Sequence, residues 1–167
     1  MKKVSFLGGS LLTMIAIVTV LFYNSCSDDP CKDVICNNGG SCLDGTCVCA
    51  TGYEGSDCST KSNAKFVGSY SAIDVCSSGT YTYSPTVAAS STVVNGLILT
   101  NFGGFGTNLT ATATVDGSTI TVPSQSLGGI NISGSGTLNA AQTQIQFTYT
   151  ANDGTNSDNC TSTWDKQ

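Results

Sequence analysis

Nine cysteines, unevenly spaced, constrain this chain more than any other feature. Cys26 stands alone at the end of an apolar N-terminal run. Six more fall within residues 31–58, and Cys76 and Cys160 bracket a long segment rich in β-forming residues. If Cys26 is modified, the other eight can pair completely. Complete pairing is typical of exported proteins, because an oxidising compartment keeps disulfides intact.

The chain carries few charges, and most of them are negative. It has eleven acidic residues and six basic residues, all of them lysines, and it has no histidine. This composition argues against nucleic-acid binding, because phosphate contacts need clustered Lys or Arg. It also excludes reactions that use His as a base or Arg as an anion clamp. No thiol is left as a nucleophile, so we expect a protein that is not an enzyme and needs no cofactor.

The N-terminus has the pattern of a signal peptide over residues 1–25. Met1, Lys2 and Lys3 are followed by an apolar stretch over residues 6–22, which is short for a spanning helix and has no basic flank after it. Residues 23–26 resemble a bacterial lipobox, in which a small residue, here Ser25, precedes the lipidated cysteine. The resemblance implies a diacylglyceryl or palmitate anchor on Cys26. The alternative is an ordinary secreted protein with a free or intermolecular thiol.

Residues 26–30 form an acidic tether. Within it, Ser27, Asp28 and Asp29 resemble the short acidic signal that sends some Gram-negative lipoproteins across the outer membrane. The resemblance implies a lipid-anchored outer-membrane protein exposed at the cell surface. A solvated tether on a protein that faces the periplasm is the alternative.

Residues 31–58 read C-x4-C-x5-C-x4-C-x-C-x8-C, with NGG between the second and third cysteines and GYEG before the sixth. Six cysteines can pair in fifteen ways, and spacing alone does not choose one. The segment resembles an EGF-like domain, and this resemblance implies bonds from Cys31 to Cys42, Cys36 to Cys47 and Cys49 to Cys58. Because so short a segment buries little core, each bridge must supply about 3 kcal/mol of its stability.

Metal binding by this segment is disfavoured. Zinc held by thiolates is the weaker alternative, because the segment has no His and an oxidising compartment favours bridges. Calcium-binding EGF modules carry an aromatic residue between the third and fourth cysteines. Here that interval is only residues 43–46. We therefore expect no metal.

Residues 59–64 are polar and are predicted to form a linker to a β-rich domain over residues 65–167. Alternating apolar and polar residues predict eight strands and no helix. Asp116 and Gly117 predict a tight hairpin turn. The expected strands cover residues 65–75, 79–88, 92–101, 106–115, 118–123, 129–138, 142–150 and 158–165.

The alternation predicts one apolar face and one polar face, as in an antiparallel sheet around its own core. We expect an all-β fold with an eight-stranded antiparallel β-barrel, and a β-sandwich as the alternative. A bond between Cys76 and Cys160 would lock the closing seam, whereas two buried thiols are the other possibility. The residues expected to face inward are Phe66, Gly68, Tyr70, Ala72, Tyr81, Tyr83, Leu109, Ala111, Ala113, Val115, Ile120, Val122, Ile130, Ile132, Ile145, Phe147, Tyr149 and Trp164.

Gly68, Ser69 and Tyr70 resemble a degraded form of the lipocalin Gly-x-Trp element, and the layout of residues 65–166 is similar to lipocalin-like (calycin-type) domains of bacterial lipoproteins. The resemblance implies a barrel. The arginine that partners the tryptophan in lipocalins has no counterpart here, so a ligand cavity is not implied with it.

Several side chains are candidates for contact with a ligand or partner. An uneven inward lining could leave a crevice, or it could simply fill the core. The glycine-rich loop at residues 101–106 could be a recognition tip or a plug for the barrel end. Asp74, Asp153 and Asp158 are expected near the Cys76–Cys160 bridge, as a cation site or as solvated loop carboxylates. The candidate contact residues are Tyr70, Tyr81, Tyr83, Phe147, Tyr149, Trp164, Phe102 and Phe105.

These features predict a non-enzymatic, lipid-anchored surface protein that acts as a binding or display module through its EGF-like and barrel domains. Its expected partners are the membrane, through the lipid on Cys26, and a protein, a glycan or a small apolar molecule. The alternative function is a carrier that holds a small apolar ligand inside the lipocalin-like barrel.

Overall fold

The computed structural model of the protein describes residues 29–167. The predicted signal peptide, Cys26 and residues 27 and 28 of the tether lie outside the described residues. Within them the chain is all-β apart from two short 3₁₀ turns, at Ala64–Phe66 and Phe102–Gly104. No helix in this part of the chain is long and apolar enough to cross a membrane.

A small disulfide-rich segment comes first. It contains two hairpins, one of β1 (Ser41–Leu43) with β2 (Thr46–Val48) and one of β3 (Tyr53–Glu54) with β4 (Thr60–Lys61). Three disulfides cross-link it, and they join the partners that the EGF-like resemblance implies. The bonds are Cys31–Cys42, Cys36–Cys47 and Cys49–Cys58.

Residues 59–64, expected to be a linker, are packed in the structure. They contain β4, and Ser62 and Asn63 are buried. The Ser62 amide donates to the Gly52 carbonyl at 2.9 Å, and Asn63 Nδ2 donates to the Gly96 carbonyl at 2.8 Å. Polar composition alone does not reveal this burial, because it depends on contacts such as the Asn63–Gly96 bond, which joins residues that are far apart in the chain.

The second part of the chain is a closed antiparallel barrel. Neighbouring strands pair with one another, and the last strand pairs with the first, so the sheet closes on itself. Of the strands in this barrel, only Gly79–Tyr83 has one side without a strand partner. The expected eight-stranded barrel is thus confirmed, and the sandwich alternative is wrong. The strands are β5 (Gly68–Cys76), β6 (Gly79–Tyr83), β7 (Thr86–Ala89), β8 (Gly96–Thr100), β9 (Thr110–Asp116), β10 (Thr119–Leu127), β11 (Ile130–Leu138), β12 (Gln144–Asn152) and β13 (Ser157–Lys166).

Two proline residues explain where the strands differ from the expected ones. Strands β6 and β7 are one barrel strand interrupted before Pro85, whose carbonyl still accepts from the Tyr70 amide at 3.0 Å. Strand β10 continues beyond Pro123 because a bulge lies between Val122 and Gln125. The Gln125 side chain then takes the place of a backbone partner for β9, bonding both the amide and the carbonyl of Thr112 at 2.8 Å.

The barrel interior is filled by side chains from every strand except β6, whose residues are exposed or only half-buried. Most residues expected to face inward are buried, but Tyr81 is 47% exposed, and Tyr83, Leu109 and Ile130 are only partly buried. Gly136 makes room for the Phe147 ring, since a Cβ there would lie 2.7 Å from Phe147 Cδ1. The buried barrel residues that the inward pattern did not include are Asp74, Pro85, Val87, Gly96, Leu97, Leu99, Phe102, Leu127, Gly136, Leu138, Ala151, Cys160 and Ser162.

The barrel has two different ends. The 3₁₀ turn at Ala64–Phe66 lies at one of them, and the disulfide-rich segment sits there, with Gly52 so close to Val94 that a Cβ on Gly52 would be 2.6 Å from Val94 Cγ1. We call this the proximal end, and it carries the turns at 90–95, 117–118 and 139–143. The opposite, distal end carries the turns at 77–78, 128–129 and 153–156 and the loop at 101–109.

Candidate functional site

A fully buried carboxylate lies inside the distal half of the barrel. Asp74 is on β5, in the inward row of Tyr70 and Ala72, and has no exposed surface. It accepts hydrogen bonds from Tyr149 Oη at 2.5 Å, from Tyr83 Oη at 3.0 Å and from Ser162 Oγ. Buried carboxylates persist only when their oxygens are satisfied, so three hydroxyl donors hold this one in the core.

Trp164 extends this network. Its Nε1 donates to Ser162 Oγ at 2.8 Å and to Tyr83 Oη at 3.2 Å, so two of the three groups that bond Asp74 are themselves fixed. Within residues 29–167 the structure holds a single ion pair, between Lys65 and Glu54, and no basic side chain neutralises Asp74. The expectation that Asp74 is a solvated loop carboxylate is therefore wrong. Its place in the alternation of β5 was the signal that could have placed it inside.

The tyrosines around Asp74 hold their protons tightly. Burial raises the pKa of Tyr149, and the hydrogen bond to Asp74 raises it further. Burial, and after it the charge of Asp74, raise the pKa of Tyr83 as well. Deeper in the barrel, burial raises the pKa of Tyr70 to about 12, and its hydroxyl donates to the Phe66 carbonyl at 2.6 Å. These hydroxyls thus remain neutral donors near neutral pH.

A cavity of about 300 Å³, which we call the distal cavity, opens above this network. Cys76 and Cys160 both lie in its wall. They are opposite each other across the β5–β13 seam and are joined by a disulfide. A wider groove of about 460 Å³ shares Phe105, Ala151 and Asp158 with it. The cavity is lined by Cys76, Tyr81, Gly103, Gly104, Phe105, Tyr149, Ala151, Asp158 and Cys160.

The glycine-rich loop at residues 101–106 closes the distal end of the barrel interior and also forms part of the wall of the distal cavity. Phe102 is fully buried, with its ring centroid 4.9 Å from that of Tyr149 and 5.8 Å from those of Phe147 and Trp164. Gly103 has φ +64°, and a Cβ there would lie 2.4 Å from the Phe105 ring. Only glycine therefore lets Phe105 fold back over the loop and face the cavity. Of the two alternatives for this loop, Phe102 fits the plug and Phe105 remains accessible.

Asp158 is held at the cavity rim by the β5–β6 turn. It accepts from Ser77 Oγ at 2.6 Å and from the Ser78 amide at 2.9 Å, and Ser78 Oγ also donates to it. These bonds hold the pKa of Asp158 below its usual value. Ser78 Oγ lies 3.0 Å from Tyr81 Oη, so the same turn also fixes the exposed tyrosine.

Asp158 and the sulfur atoms of Cys76 and Cys160 lie within 4.8 Å of one another. This grouping is not a metal site of the usual kind, because the two sulfurs are bonded to each other and cannot act as thiolate ligands. Asp153, the third acid expected nearby, is exposed and accepts from the backbone amides of Thr155 and Asn156 in its own turn.

The structure divides the eight candidate contact residues into two groups. Tyr70, Phe102, Phe147 and Trp164 are fully or almost fully buried in the core and face no solvent. Tyr81, Phe105 and Tyr149 line the distal cavity, while Tyr83 is half-buried beneath it. Of the residues that line the cavity, Tyr81 and Phe105 are accessible at this end of the barrel, whereas only 4% of Tyr149 is exposed.

No protein-family model matches this chain, and no curated protein matches it.

Proposed function

We propose that this chain is a non-enzymatic, lipid-anchored protein of the outer membrane that faces out of the cell and acts as a binding or display module. The observation that carries the proposal is the position of the distal cavity, at the barrel end opposite the disulfide-rich segment. A lipid on Cys26 would fix the membrane on the proximal side. The cavity would then face away from the membrane, toward partners.

In this proposal the disulfide-rich segment is an EGF-like spacer. Its cysteine pairing and its packing on the barrel support this role. Lys65 pairs with Glu54 at 2.6 Å, and Asn63 bonds Gly96 across the junction. A spacer that is packed against the domain it carries holds that domain in a fixed orientation, which favours display over free movement on a flexible tether.

A carrier with an apolar ligand inside the barrel is the less favoured function. The rings of Phe102, Phe147 and Trp164 pack against one another in the space that such a ligand would need, with centroids 4.7 to 5.8 Å apart. A ligand there would have to displace the Phe102 plug.

Two measurements on cells test the proposal. The wild-type protein should incorporate labelled palmitate, and Cys26→Ser should abolish the incorporation. With an epitope tag inserted at Gly129, where the exposed turn has open space, antibody should label intact cells as strongly as permeabilised ones. Labelling only after permeabilisation would contradict outward exposure, and unchanged palmitate incorporation in Cys26→Ser would contradict the anchor.

A further inference from the structure

The lysines of the described chain all lie away from the distal end of the barrel. Between residues 66 and 165 the sequence has no Lys or Arg. The lysines of the described chain belong either to the disulfide-rich segment or to the proximal end, where Lys166 Nζ donates to the Lys65 carbonyl at 2.9 Å. Asp74, Asp153 and Asp158 all lie in the distal half. The distal cavity is therefore in a region of negative potential.

The aromatic residues that line the distal cavity add a second attraction for a cation to this negative potential. Tyr81, Phe105 and Tyr149 face the cavity, and the faces of aromatic rings attract cations. Tyr149 donates its hydroxyl proton to Asp74, which increases the electron density of its ring. Asp158 adds a carboxylate at the rim, and its bonds to Ser77 and Ser78 keep it in place.

We propose that the distal cavity binds a small organic cation, with an ammonium or quaternary ammonium group seated among Tyr81, Phe105 and Tyr149 and beside the Asp158 carboxylate. This inference rests on the proposed binding function and names its ligand class. Charge complementarity selects the occupant, because an anion would meet carboxylates without any basic side chain to offset them. The volume of about 300 Å³ limits the bound group to on the order of ten heavy atoms.

Purified full-length protein in detergent provides the test. The probe is tetramethylammonium, titrated by calorimetry against a constant-ionic-strength background of sodium chloride. We expect saturable binding with a Kd of about 1 mM or tighter, which corresponds to two or three cation–π contacts together with one carboxylate. Neutral 3,3-dimethylbutanol has a similar shape without the charge, and we expect it to bind at least about tenfold more weakly.

Variants locate the site. Tyr81→Leu and Phe105→Leu keep apolar bulk but remove a ring, and each should weaken tetramethylammonium binding about threefold to tenfold. Asp158→Asn should weaken it by a similar factor, whereas Asp116→Asn, exposed at the proximal end of β9, should leave it unchanged. Since Tyr81 is exposed, Tyr81→Leu keeps the test valid even if another variant does not fold.

Equal binding of tetramethylammonium and dimethylbutanol would overturn the proposal, as would binding that Tyr81→Leu and Phe105→Leu leave unchanged. Binding of a neutral sugar in preference to the cation would also overturn it and would favour a glycan site. Because these titrations use solubilised protein, they are independent of the palmitate and antibody experiments. If tetramethylammonium binding fails these tests, the proposal that the protein is an anchored surface module is not affected.

Discussion

Tyr149 and Asp74 lie 75 positions apart in the chain, yet the Tyr149 hydroxyl donates to the Asp74 carboxylate at 2.5 Å. Strand register brings them together. Tyr149 is opposite Cys160 across β12 and β13, and Cys160 is opposite Cys76 across the seam from β13 to β5. Asp74 is two residues before Cys76 on the same inward row. The buried carboxylate is therefore satisfied only when the seam is closed, which couples this polar network to barrel closure.

Replacing Asp74 with Asn should destabilise the fold. The amide keeps one acceptor oxygen but turns donor hydrogens toward the hydroxyls of Tyr83, Tyr149 and Ser162. We expect the free energy of unfolding to fall by about 3 kcal/mol, as for other buried hydrogen-bonded charges that lose their match. Urea unfolding followed by Trp fluorescence measures it. Asp116→Asn, at the exposed end of β9, is the matched control and should change stability by less than about 0.5 kcal/mol.

Alkaline pH should destabilise the protein through its buried tyrosines. The folded-state pKa values of Tyr70, Tyr83 and Tyr149 are raised above the ordinary value of 10.0, to about 12 for Tyr70. The unfolded chain therefore releases these protons first, and stability is full below pH 10 and falls as the pH rises from 10 through 12 and above.

The measurement is a pH titration that follows tyrosinate absorbance and near-UV circular dichroism together. The signal of the three buried tyrosines should appear in the same step as the loss of the tertiary signal, and Tyr149→Phe should make the pH dependence of stability less steep. Ionisation of all the tyrosines in a chain that keeps its tertiary signal would refute this prediction.

Removing the seam disulfide should cost more stability than removing a disulfide of the N-terminal segment. The Cys76–Cys160 bond spans 84 residues, and the chain-entropy relation gives about 4.5 kcal/mol for such a loop. The double variant Cys76→Ser, Cys160→Ser should lose about that much in guanidinium unfolding of the barrel. The control is Cys49→Ser, Cys58→Ser, whose loop spans 9 residues and lies outside the barrel. An equal loss in both would show that closure is not what the bond stabilises.

Phe102→Ala should open the distal half of the barrel. Its ring packs on Phe147, Tyr149 and Trp164, so truncation leaves a cavity and should cost about 3–5 kcal/mol. Phe105→Ala, in the same loop but partly exposed, should cost less than half of that. Thermal unfolding of the two variants compares them. The Phe102→Ala variant should also gain binding of an apolar probe such as benzene, and its absence would mean that the loop collapses into the space.

The fold was largely predictable because the barrel strands alternate apolar and polar residues over most of their length. The turn predicted at Asp116 and Gly117 is found one residue later, at Gly117 and Ser118, because Asp116 still pairs with Thr119. This turn signal and the position of Cys76 and Cys160 nevertheless indicated hairpins and a closed seam. The sequence predicts that β10 ends at Pro123, since a proline normally ends a central strand, but the strand continues to Leu127. The compensation comes from a side chain, that of Gln125, which no backbone pattern reveals.

The candidate site was less predictable, for two physical reasons. Phe102 and Phe105 belong to a loop without periodicity, and only the left-handed turn at Gly103 separates the buried ring from the accessible one. Asp74 does follow the inward period of β5, but a charge on an apolar face is expected outside the core unless its partners are known. Those partners come from β6, β12 and β13, far along the chain.

The absence of basic residues between 66 and 165 also determines how a protease would divide this protein. Trypsin cuts only after Lys or Arg, so it has no target between Lys65 and Lys166, which covers the turns of the distal end and the barrel strands up to the last residue of β13. Lys61 is exposed, and it lies between the last bond of the N-terminal segment, Cys49–Cys58, and the first cysteine of the barrel. One cleavage there would separate the whole barrel, undigested, from the disulfide-rich segment and from the lipid anchor that we propose on Cys26.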